Sequence, residues 1–189
     1  MNIHVPLPPL LLLAGTSEAG KSTAGQYLQS RGAQRIKIRS ILLRLTSGRV
    51  VHHEGVATRE GFDTTEFMNR LLGLGQVAPE PMLVIESFID VALANRVKET
   101  WPSRCVVVYI TAPLALRVDR LVQAQGIRPD EAERIIGVKD SRKWVEQQQD
   151  QWRAVADRWI DNTGDLAAFI EQLETIIQSL TSHTEGHRS

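Results

Sequence analysis

The chain has 189 residues, of which 42% are hydrophobic and 23% are charged, a composition typical of a globular domain and unlike that of a disordered chain. Its 22 basic and 22 acidic residues cancel, which argues against a nonspecific nucleic-acid binder because such proteins are normally basic. The single cysteine, Cys105, excludes an intramolecular disulfide, and the apolar run near the N-terminus is too short to span a bilayer. We therefore expect a cytoplasmic protein.

Short apolar runs alternate with helical segments along the chain. We predict strands at residues 10–14, 34–38, 82–85, 105–110 and 156–160. We predict helices at residues 20–31, 40–46, 63 to about 75, 89–101, 113–126, from 129 onward and 165–180, with a polar loop at 48–61. This alternation indicates a parallel sheet covered by helices on both faces. Ligands bind such sheets at the carboxyl ends of the strands, so functional residues are expected just after them.

The segment Gly15-Thr-Ser-Glu-Ala-Gly-Lys-Ser22 fits the phosphate-binding pattern G-x-x-x-x-G-K-[ST], the Walker A motif, without a gap. A predicted strand precedes it and a predicted helix follows it, as this motif requires. The glycines let the loop curl so that its N–H groups and the helix N-terminus meet phosphate oxygens. Lys21 supplies a positive charge for the β- and γ-phosphates, and the Ser22 hydroxyl is a ligand for Mg²⁺. We expect ATP to be bound by Gly15, Thr16, Ser17, Glu18, Ala19, Gly20, Lys21, Ser22 and Thr23.

The sequence also indicates which kind of phosphate-binding protein this is. A GTPase normally carries an N-K-x-D guanine motif, and no such tetrapeptide occurs in the chain. A motor ATPase would usually need a longer chain. These two observations favour a small-molecule kinase.

The phosphate-binding loop is one of two places that resemble a known family. The other is the C-terminal third, with Val108-Tyr-Ile-Thr-Ala-Pro113, Arg117, Arg120 and residues 156–164. Together they resemble the P-loop nucleoside and nucleotide kinases, closest in this third to dephospho-coenzyme A kinase-like proteins of unassigned substrate. The resemblance runs from about residue 10 to 180.

The resemblance implies a three-layer α/β fold. Its sheet would have five parallel strands in the order 2-3-1-4-5, with helices on both faces and a helical lid at about 117–150. We expect one P-loop kinase domain over residues 1–189, with a frayed tail at about 181–189.

The resemblance also implies roles for three arginines. Arg117 and Arg120 would lie where these kinases open the lid, and would stabilise charge on the transferring phosphoryl group. Arg142 is a further candidate for such a lid arginine. The alternative for Arg117 and Arg120 is that they are solvated helix charges, paired with Asp119 or Glu133.

The last loop of the predicted sheet is expected to meet the adenine base. In these kinases the corresponding loop passes the base, and here it holds Asn162, Thr163 and Gly164. We expect mostly main-chain contacts there.

Glu86 follows the predicted strand 82–85 directly. At this position P-loop enzymes place an acid that either holds the Mg²⁺ shell or takes a proton from the acceptor. Many relatives have Asp followed by Gly here, whereas this chain has Glu86-Ser87. Glu86 is therefore a candidate for both roles, and the alternative is a carboxylate that only caps the next helix.

The acceptor is expected to bind beside the second strand. The segment from Arg39 to Arg44 follows this strand, and the short helix there resembles the acceptor-binding helix of nucleotide kinases, whose arginine binds the acceptor's phosphate. Arg44 matches best and Arg39 is the second choice, since a guanidinium suits a phosphate group; the alternative for Arg44 is a helix charge. Dephospho-coenzyme A kinases carry an Asp in this loop, whereas Lys37, Arg39 and Ser40 occupy the region here. The basic residues favour an anionic acceptor.

The sequence thus predicts an ATP-dependent and Mg²⁺-dependent kinase that phosphorylates a nucleotide, nucleoside or related metabolite. Two alternatives stay open: a nucleotide-binding regulatory protein without phosphotransfer, and a nucleic-acid end kinase, which the neutral charge disfavours. The expected partners are ATP and a small-molecule acceptor, with no membrane, in a monomer or homodimer.

Overall fold

The computed structural model of the chain describes residues 7–45, 64–77, 81–101 and 103–181. The strands in these ranges are β1 (Leu10–Gly15), β2 (Gln34–Lys37), β3 (Leu83–Phe88), β4 (Cys105–Thr111) and β5 (Arg158–Asp161). The helices are α1 (Lys21–Ser30), α2 (Ile38–Leu45), α3 (Thr64–Val77), α4 (Val91–Thr100), α5 (Leu114–Gln125), α6 (Pro129–Arg142), α7 (Val145–Val155) and α8 (Leu166–Thr181). None of them is long and apolar enough to cross a membrane.

The strands form one sheet in the order β2-β3-β1-β4-β5, and every pair is parallel. This confirms the predicted fold class and strand order. The central strand β1 is buried along its whole length because it has a strand on each side and helices over both faces. All carboxyl ends therefore meet at one edge of the sheet.

Successive side chains of β1 point into two separate cores. Leu10, Leu12 and Ala14 pack with residues of α2, α3, α4 and α7. Leu11 and Leu13 pack with residues of α1 and α8. This alternation is the period of a strand, and here both faces are covered, so the run is uniformly apolar.

Helices α5 and α6 have a small apolar cluster of their own. It is formed by Leu121, Ala132 and Ile136, with partly buried neighbours from the same two helices and the segment between them. The pair therefore packs mainly on itself beside the sheet.

Several element ends are shifted by one or two residues, so that Ile38, predicted in the second strand, begins α2. Three other differences stand out. Strand β3 continues to Phe88, α3 continues to Val77, and α7 was not predicted. Helix α7 is rich in glutamine and buries Gln148 and Trp152, so one of its two buried side chains is polar and adds nothing to the apolar pattern from which helices are predicted. The predicted loop 48–61, the predicted helix start at Asp63 and most of the tail 181–189 lie outside the described residues.

Two glycines of α3 allow a test of the packing on this face of the sheet. A Cβ at Gly75 would lie 2.7 Å from Trp101 Cη2, whereas a Cβ at Gly73 would meet nothing within 4 Å. We expect Gly73→Ala to stabilise the fold by about 0.5–1 kcal/mol, the usual gain of Ala over Gly in a helix. We expect Gly75→Ala to destabilise it by about 1–3 kcal/mol because Trp101 must shift. Urea unfolding of both variants tests this, and equal effects would contradict it.

Candidate active site

The loop between β1 and α1 is curled at its two glycines. Gly15 has a φ of 129° and Gly20 a φ of 112°, in the region that favours glycine. A Cβ at Gly15 would lie 1.8 Å from the carbonyl oxygen of Ile110, and one at Gly20 would lie 2.6 Å from Asn162 Nδ2. The two glycines of the motif therefore stand where no side chain fits.

Lys21 begins α1, and its ammonium group bends back over the loop. Nζ donates a hydrogen bond of 2.9 Å to the carbonyl oxygen of Gly15 and a second one to that of Thr16. Burial, together with the ammonium of Lys143, lowers the pKa of Lys21 to about 7. A bound polyanion favours the charged form of a lysine, so Lys21 fits a phosphate ligand.

Glu86 is fully buried and both of its carboxylate oxygens are engaged. Oε1 accepts a hydrogen bond of 2.6 Å from the Ser22 hydroxyl, and Oε2 lies 2.5 Å from an Nη of Arg35. Arg35 Nε also donates to Oε2 at 2.6 Å. A Cβ at Gly25 would lie 2.8 Å from Arg35 Nε, so this glycine makes room for the pair. Arg35 was not predicted, because nothing in the sequence links β2 to Glu86.

The strand that carries Glu86 is interrupted directly after it. The register of β3 against β1 shifts, so that Leu13 pairs with Glu86 and Ala14 pairs with Phe88. Ser87 is the extra residue, and it has a φ of 65°. The predicted strand stopped at 85 because a bulge of this kind has no signature in the local apolar pattern.

Ser17 in the loop is held by one residue of α5, one residue of α6 and the residue that follows α6. Its N–H donates to Asp140 Oδ1 at 2.9 Å, and its carbonyl oxygen accepts from Arg117 Nη1 at 3.1 Å. The same Nη1 lies 2.5 Å from Asp140 Oδ2. Lys143 Nζ donates to the Ser17 hydroxyl at 2.8 Å. Burial tends to raise the pKa of Asp140, but the hydrogen bonds from Arg117 and Ser17 outweigh it and lower that pKa.

The end of α6 meets the loop through residues that the sequence did not single out. Lys139 Nζ donates to Glu18 Oε1 at 2.8 Å, beside the contacts of Asp140 and Lys143. Arg142, the predicted lid arginine, is exposed and is not among the residues that line the cleft. The contacts with the loop are made by Lys139, Asp140 and Lys143, which lie on either side of Arg142 in the sequence.

The loop after β5 is tied to the phosphate-binding loop by a side chain. Asn162 Nδ2 donates to the carbonyl oxygen of Ala19 at 2.8 Å, and the Asn162 carbonyl oxygen accepts from Arg120 Nη2 at 2.9 Å. The sequence suggested mainly main-chain contacts here, so the anchoring role of the Asn162 side chain was missed. Gly164 lines the cleft beside it, and Thr163 is exposed.

Residues of the phosphate-binding loop, Lys21, Ser22, Arg120 and Asn162 line one cleft of about 740 Å³ at the carboxyl edge of the sheet. Its charged lining consists of Lys21, Arg120, Lys139, Lys143, Glu18, Asp119 and Asp165. Arg120 Nη1 is buried and has no hydrogen-bond partner among the described residues. Arg117 contacts Ser17 and Asp140, and Arg120 contacts Asn162. Among the described residues neither arginine is paired with Asp119 or Glu133, the alternative that the sequence left open.

Backbone strain is concentrated around the cleft. Within the described ranges the non-glycine residues with a positive φ are Glu18, Ser87 and Trp144. They lie in the phosphate-binding loop, next to Glu86 and next to Lys143. Each such conformation costs on the order of 1 kcal/mol, and strain of this kind clusters at functional sites.

Of the two predicted acceptor residues, only the side chain of Arg39 is described, and it does not line this cleft. Arg39 is exposed on α2, and the side chain of Arg44 lies outside the described part of the chain. A second cavity of about 610 Å³ runs beside β2. It is lined by Gln29, Arg35, Ile36, Lys37, Ser40, Ile41, Arg70, Gly73 and Leu74. Arg35 links the two regions because it lines this cavity and also contacts Glu86.

The oxygen atoms at Ser22 and Glu86 fit a magnesium ion. Within the described ranges no three His, Cys, Asp or Glu side chains come together as a metal site. Mg²⁺ does not need such a cage, because it keeps several waters and takes one or two protein oxygens together with substrate phosphates. The hydroxyl and carboxylate oxygens, 2.6 Å apart, are ligands of this type.

No protein-family model matches the chain, and no curated protein is similar in sequence. Solved structures are similar in fold. The crystal structure of TT1252 from Thermus thermophilus superposes with a TM-score of 0.62 at 18% identity, over 93% of this chain and 99% of that one. A gluconokinase from Sinorhizobium meliloti 1021 gives 0.58 at 14% identity, over 98% and 100%. A dephospho-CoA kinase from Campylobacter jejuni gives 0.51 at 16% identity, over 93% and 98%.

These similarities confirm that the chain has the fold of the P-loop kinases. The named enzymes act on different small molecules, and their sequence identities to this chain are low. The similarity therefore describes the architecture and leaves the substrate open.

The buried ion pair of Arg35 and Glu86 allows a test of whether Arg35 stabilises the charge on the Glu86 carboxylate. The side chain of Glu86 is 1% exposed and that of Arg35 is 15% exposed. We expect Arg35→Gln to lower the free energy of unfolding by about 3–5 kcal/mol, because it leaves a buried carboxylate without its cation. The double variant with Glu86→Gln removes that charge and should recover most of the loss. Urea unfolding measures both, and a double variant no more stable than Arg35→Gln would contradict this explanation.

Proposed function

We propose that this protein is an ATP-dependent kinase that transfers the γ-phosphoryl group to a nucleotide, a nucleoside or a related small metabolite. The observation that carries the proposal is one cleft at the carboxyl edge of the sheet. The phosphate-binding loop, Lys21 and Ser22 line it, and the Ser22 hydroxyl is hydrogen-bonded to the buried carboxylate of Glu86. Phosphoryl transfer needs positioning and charge stabilisation more than covalent chemistry, and these groups supply both.

The phosphates of ATP are proposed to lie over the loop of residues 15–20. The loop N–H groups and the N-terminus of α1 would donate to phosphate oxygens, and Lys21 would exchange its carbonyl partners for the β- and γ-phosphates. Adenine would lie near Asn162, Thr163 and Gly164. Phe169 of α8 also lines this side of the cleft.

Ser22 and Glu86 are proposed to hold Mg²⁺, directly or through water. When bound, the ion would neutralise charge on the β- and γ-phosphates. The chain's contribution is the fixed position of the two oxygens, because Arg35 holds the far side of the Glu86 carboxylate.

Of the two roles considered for Glu86, the contacts favour the metal shell over the acceptor base. The carboxylate is fully buried and its two oxygens already meet Ser22 and Arg35. A general base must lie within hydrogen-bond reach of the acceptor hydroxyl, and an oxygen facing Ser22 is better placed for the ion.

The three predicted arginines have different surroundings, which suggest different roles. Arg120 lines the cleft with a buried Nη1 that has no described partner, so it is the best placed to meet phosphate or base. Arg117 holds the Ser17 carbonyl oxygen and Asp140, so we assign it to positioning the loop. Arg142 would need to turn inward to reach the transferring group.

Residues 117–150 are proposed to act as a lid within a single domain. Helices α5 and α6 share their own apolar cluster and meet the phosphate-binding loop through polar contacts. A lid that excludes water would prevent wasteful hydrolysis of ATP.

The acceptor is proposed to be anionic and to enter from the side of β2 and α2. Arg35, Lys37 and Arg70 line the cavity there, and Arg39 and Arg44 lie on the adjacent helix. Guanidinium groups bind phosphate and carboxylate in a bidentate manner.

A nucleotide-binding regulator without transfer is a second candidate. It is favoured by the engagement of both Glu86 oxygens and by the hydrogen bond from the Ser17 N–H to Asp140. The experiment that follows separates the two candidates.

The first test is ADP release from ATP and Mg²⁺ over a panel of nucleosides, nucleoside monophosphates, dephospho-CoA and gluconate. We expect one class of acceptor to stimulate ADP release by the parent protein. Lys21→Ala should abolish both this release and tight ATP binding, because it removes the ammonium that faces the phosphates. Tight ATP binding with no stimulation by any acceptor would favour the regulator, and equal ATP affinity in Lys21→Ala would contradict both.

Glu86→Gln tests the metal role. We expect the Mg²⁺ concentration for half-maximal ADP release to rise by about 10–100-fold, the usual effect of losing a carboxylate around a metal. ADP binding without Mg²⁺ should stay as in the parent. A magnesium titration of both proteins measures this. An unchanged magnesium requirement together with an altered pH profile of kcat would instead assign Glu86 as the base.

A further inference from the structure

Lys143 lies directly after α6, at the mouth of the phosphate-binding loop. Its Nζ donates to the Ser17 hydroxyl at 2.8 Å, and the side chain lines the same cleft as Lys21. Two ammonium groups therefore border the space above the loop.

The backbone position of Lys143 is fixed by Gln148 of α7, which is itself bonded to the start of α4. Gln148 Nε2 donates to the Lys143 carbonyl oxygen at 2.8 Å, and Gln148 Oε1 accepts from the N–H of Val91 at 3.0 Å. Gln148 is buried, and Trp144 between them has a left-handed φ of 47°. The strained turn at Trp144 and the buried amide of Gln148 hold the backbone of Lys143 beside the loop, so the fold itself sets the position of this lysine.

The acidic groups near Lys21 also contact other cations. Asp140 is paired with Arg117, and Glu18 is paired with Lys139. Lys21 and Lys143 line the same cleft, so an anion over the loop would attract both ammonium groups. A polyphosphate chain over the loop has the required charge and place.

We propose that Lys143 is a second phosphate-binding lysine of this site. When a nucleotide binds, the Lys143 ammonium exchanges its contact with the Ser17 hydroxyl for a contact with the triphosphate. This inference rests on the proposed function, and it assigns to Lys143 the contact that the sequence suggested for Arg142. Lysine binds phosphate as a compact point charge, which suits a group fixed so close to Lys21.

The test is calorimetric binding of the β,γ-imido analogue of ATP with Mg²⁺ to the full chain. We expect Lys143→Met to weaken binding by at least about tenfold, the effect of losing one charge-assisted hydrogen bond. Lys143→Arg keeps the charge and should stay within about threefold of the parent. Arg134→Met, which removes an exposed cation from the preceding helix α6, is the matched control and should bind as the parent does.

A structural role for Lys143 would give a different pattern. It would lower the unfolding midpoint of Lys143→Met below that of Arg134→Met, and Lys143→Arg would not restore binding. Lys143→Gln serves as a second neutral variant if Lys143→Met does not fold.

The outcomes separate the two proposals. If Lys21→Ala abolishes binding while Lys143→Met and Lys143→Gln bind as the parent does, the inference is overturned and the proposed function stands. A greater loss in Arg142→Met than in Lys143→Met also overturns it. If the parent does not bind the analogue, the proposed function fails and the inference fails with it.

Discussion

A curled loop cannot satisfy its own backbone hydrogen bonds, and the whole site is organised around that constraint. The N–H of Thr16 donates to the carbonyl oxygen of Ile110 at 3.2 Å. The side chain of Asn162 donates to the carbonyl oxygen of Ala19. Both backbone groups of Ser17 are taken by residues of α5 and α6. Strand β4, the loop after β5 and two helices therefore each hold one part of the loop. The conformation that would receive phosphate depends on all of them.

The second constraint is a carboxylate buried in the middle of a sheet. A buried charge is tolerated only when it is paired and hydrogen-bonded, and Glu86 receives Arg35 on one oxygen and Ser22 on the other. The pair has room because Gly25 lacks a side chain. The bulge at Ser87 adds local strain directly after Glu86. One charged group thus imposes requirements on β2, α1 and β3 together.

The fold and the phosphate-binding loop were predictable because their signals are local in the sequence. The apolar runs mark the strands, and Gly15–Ser22 is a contiguous pattern. The contacts of Arg35, Asp140 and Lys143 were not predictable, since their partners lie 51, 123 and 126 residues away. Only the packing of α6 beside the loop brings the last two into place. Helix α7 was missed because the side chains it buries include a glutamine with a polar role.

The apolar cluster of Leu121, Ala132 and Ile136 is separate from both main cores, which affects how this protein would open locally. Transient detachment of α5 and α6 would uncover little of the sheet's apolar surface, so its free energy would be well below that of global unfolding. The amide proton of Ser17 has its acceptor on α6, whereas the amides of β1 are bonded within the sheet. In amide hydrogen exchange, Ser17 would therefore report the opening of this helical pair, and β1 would report only unfolding of the whole chain.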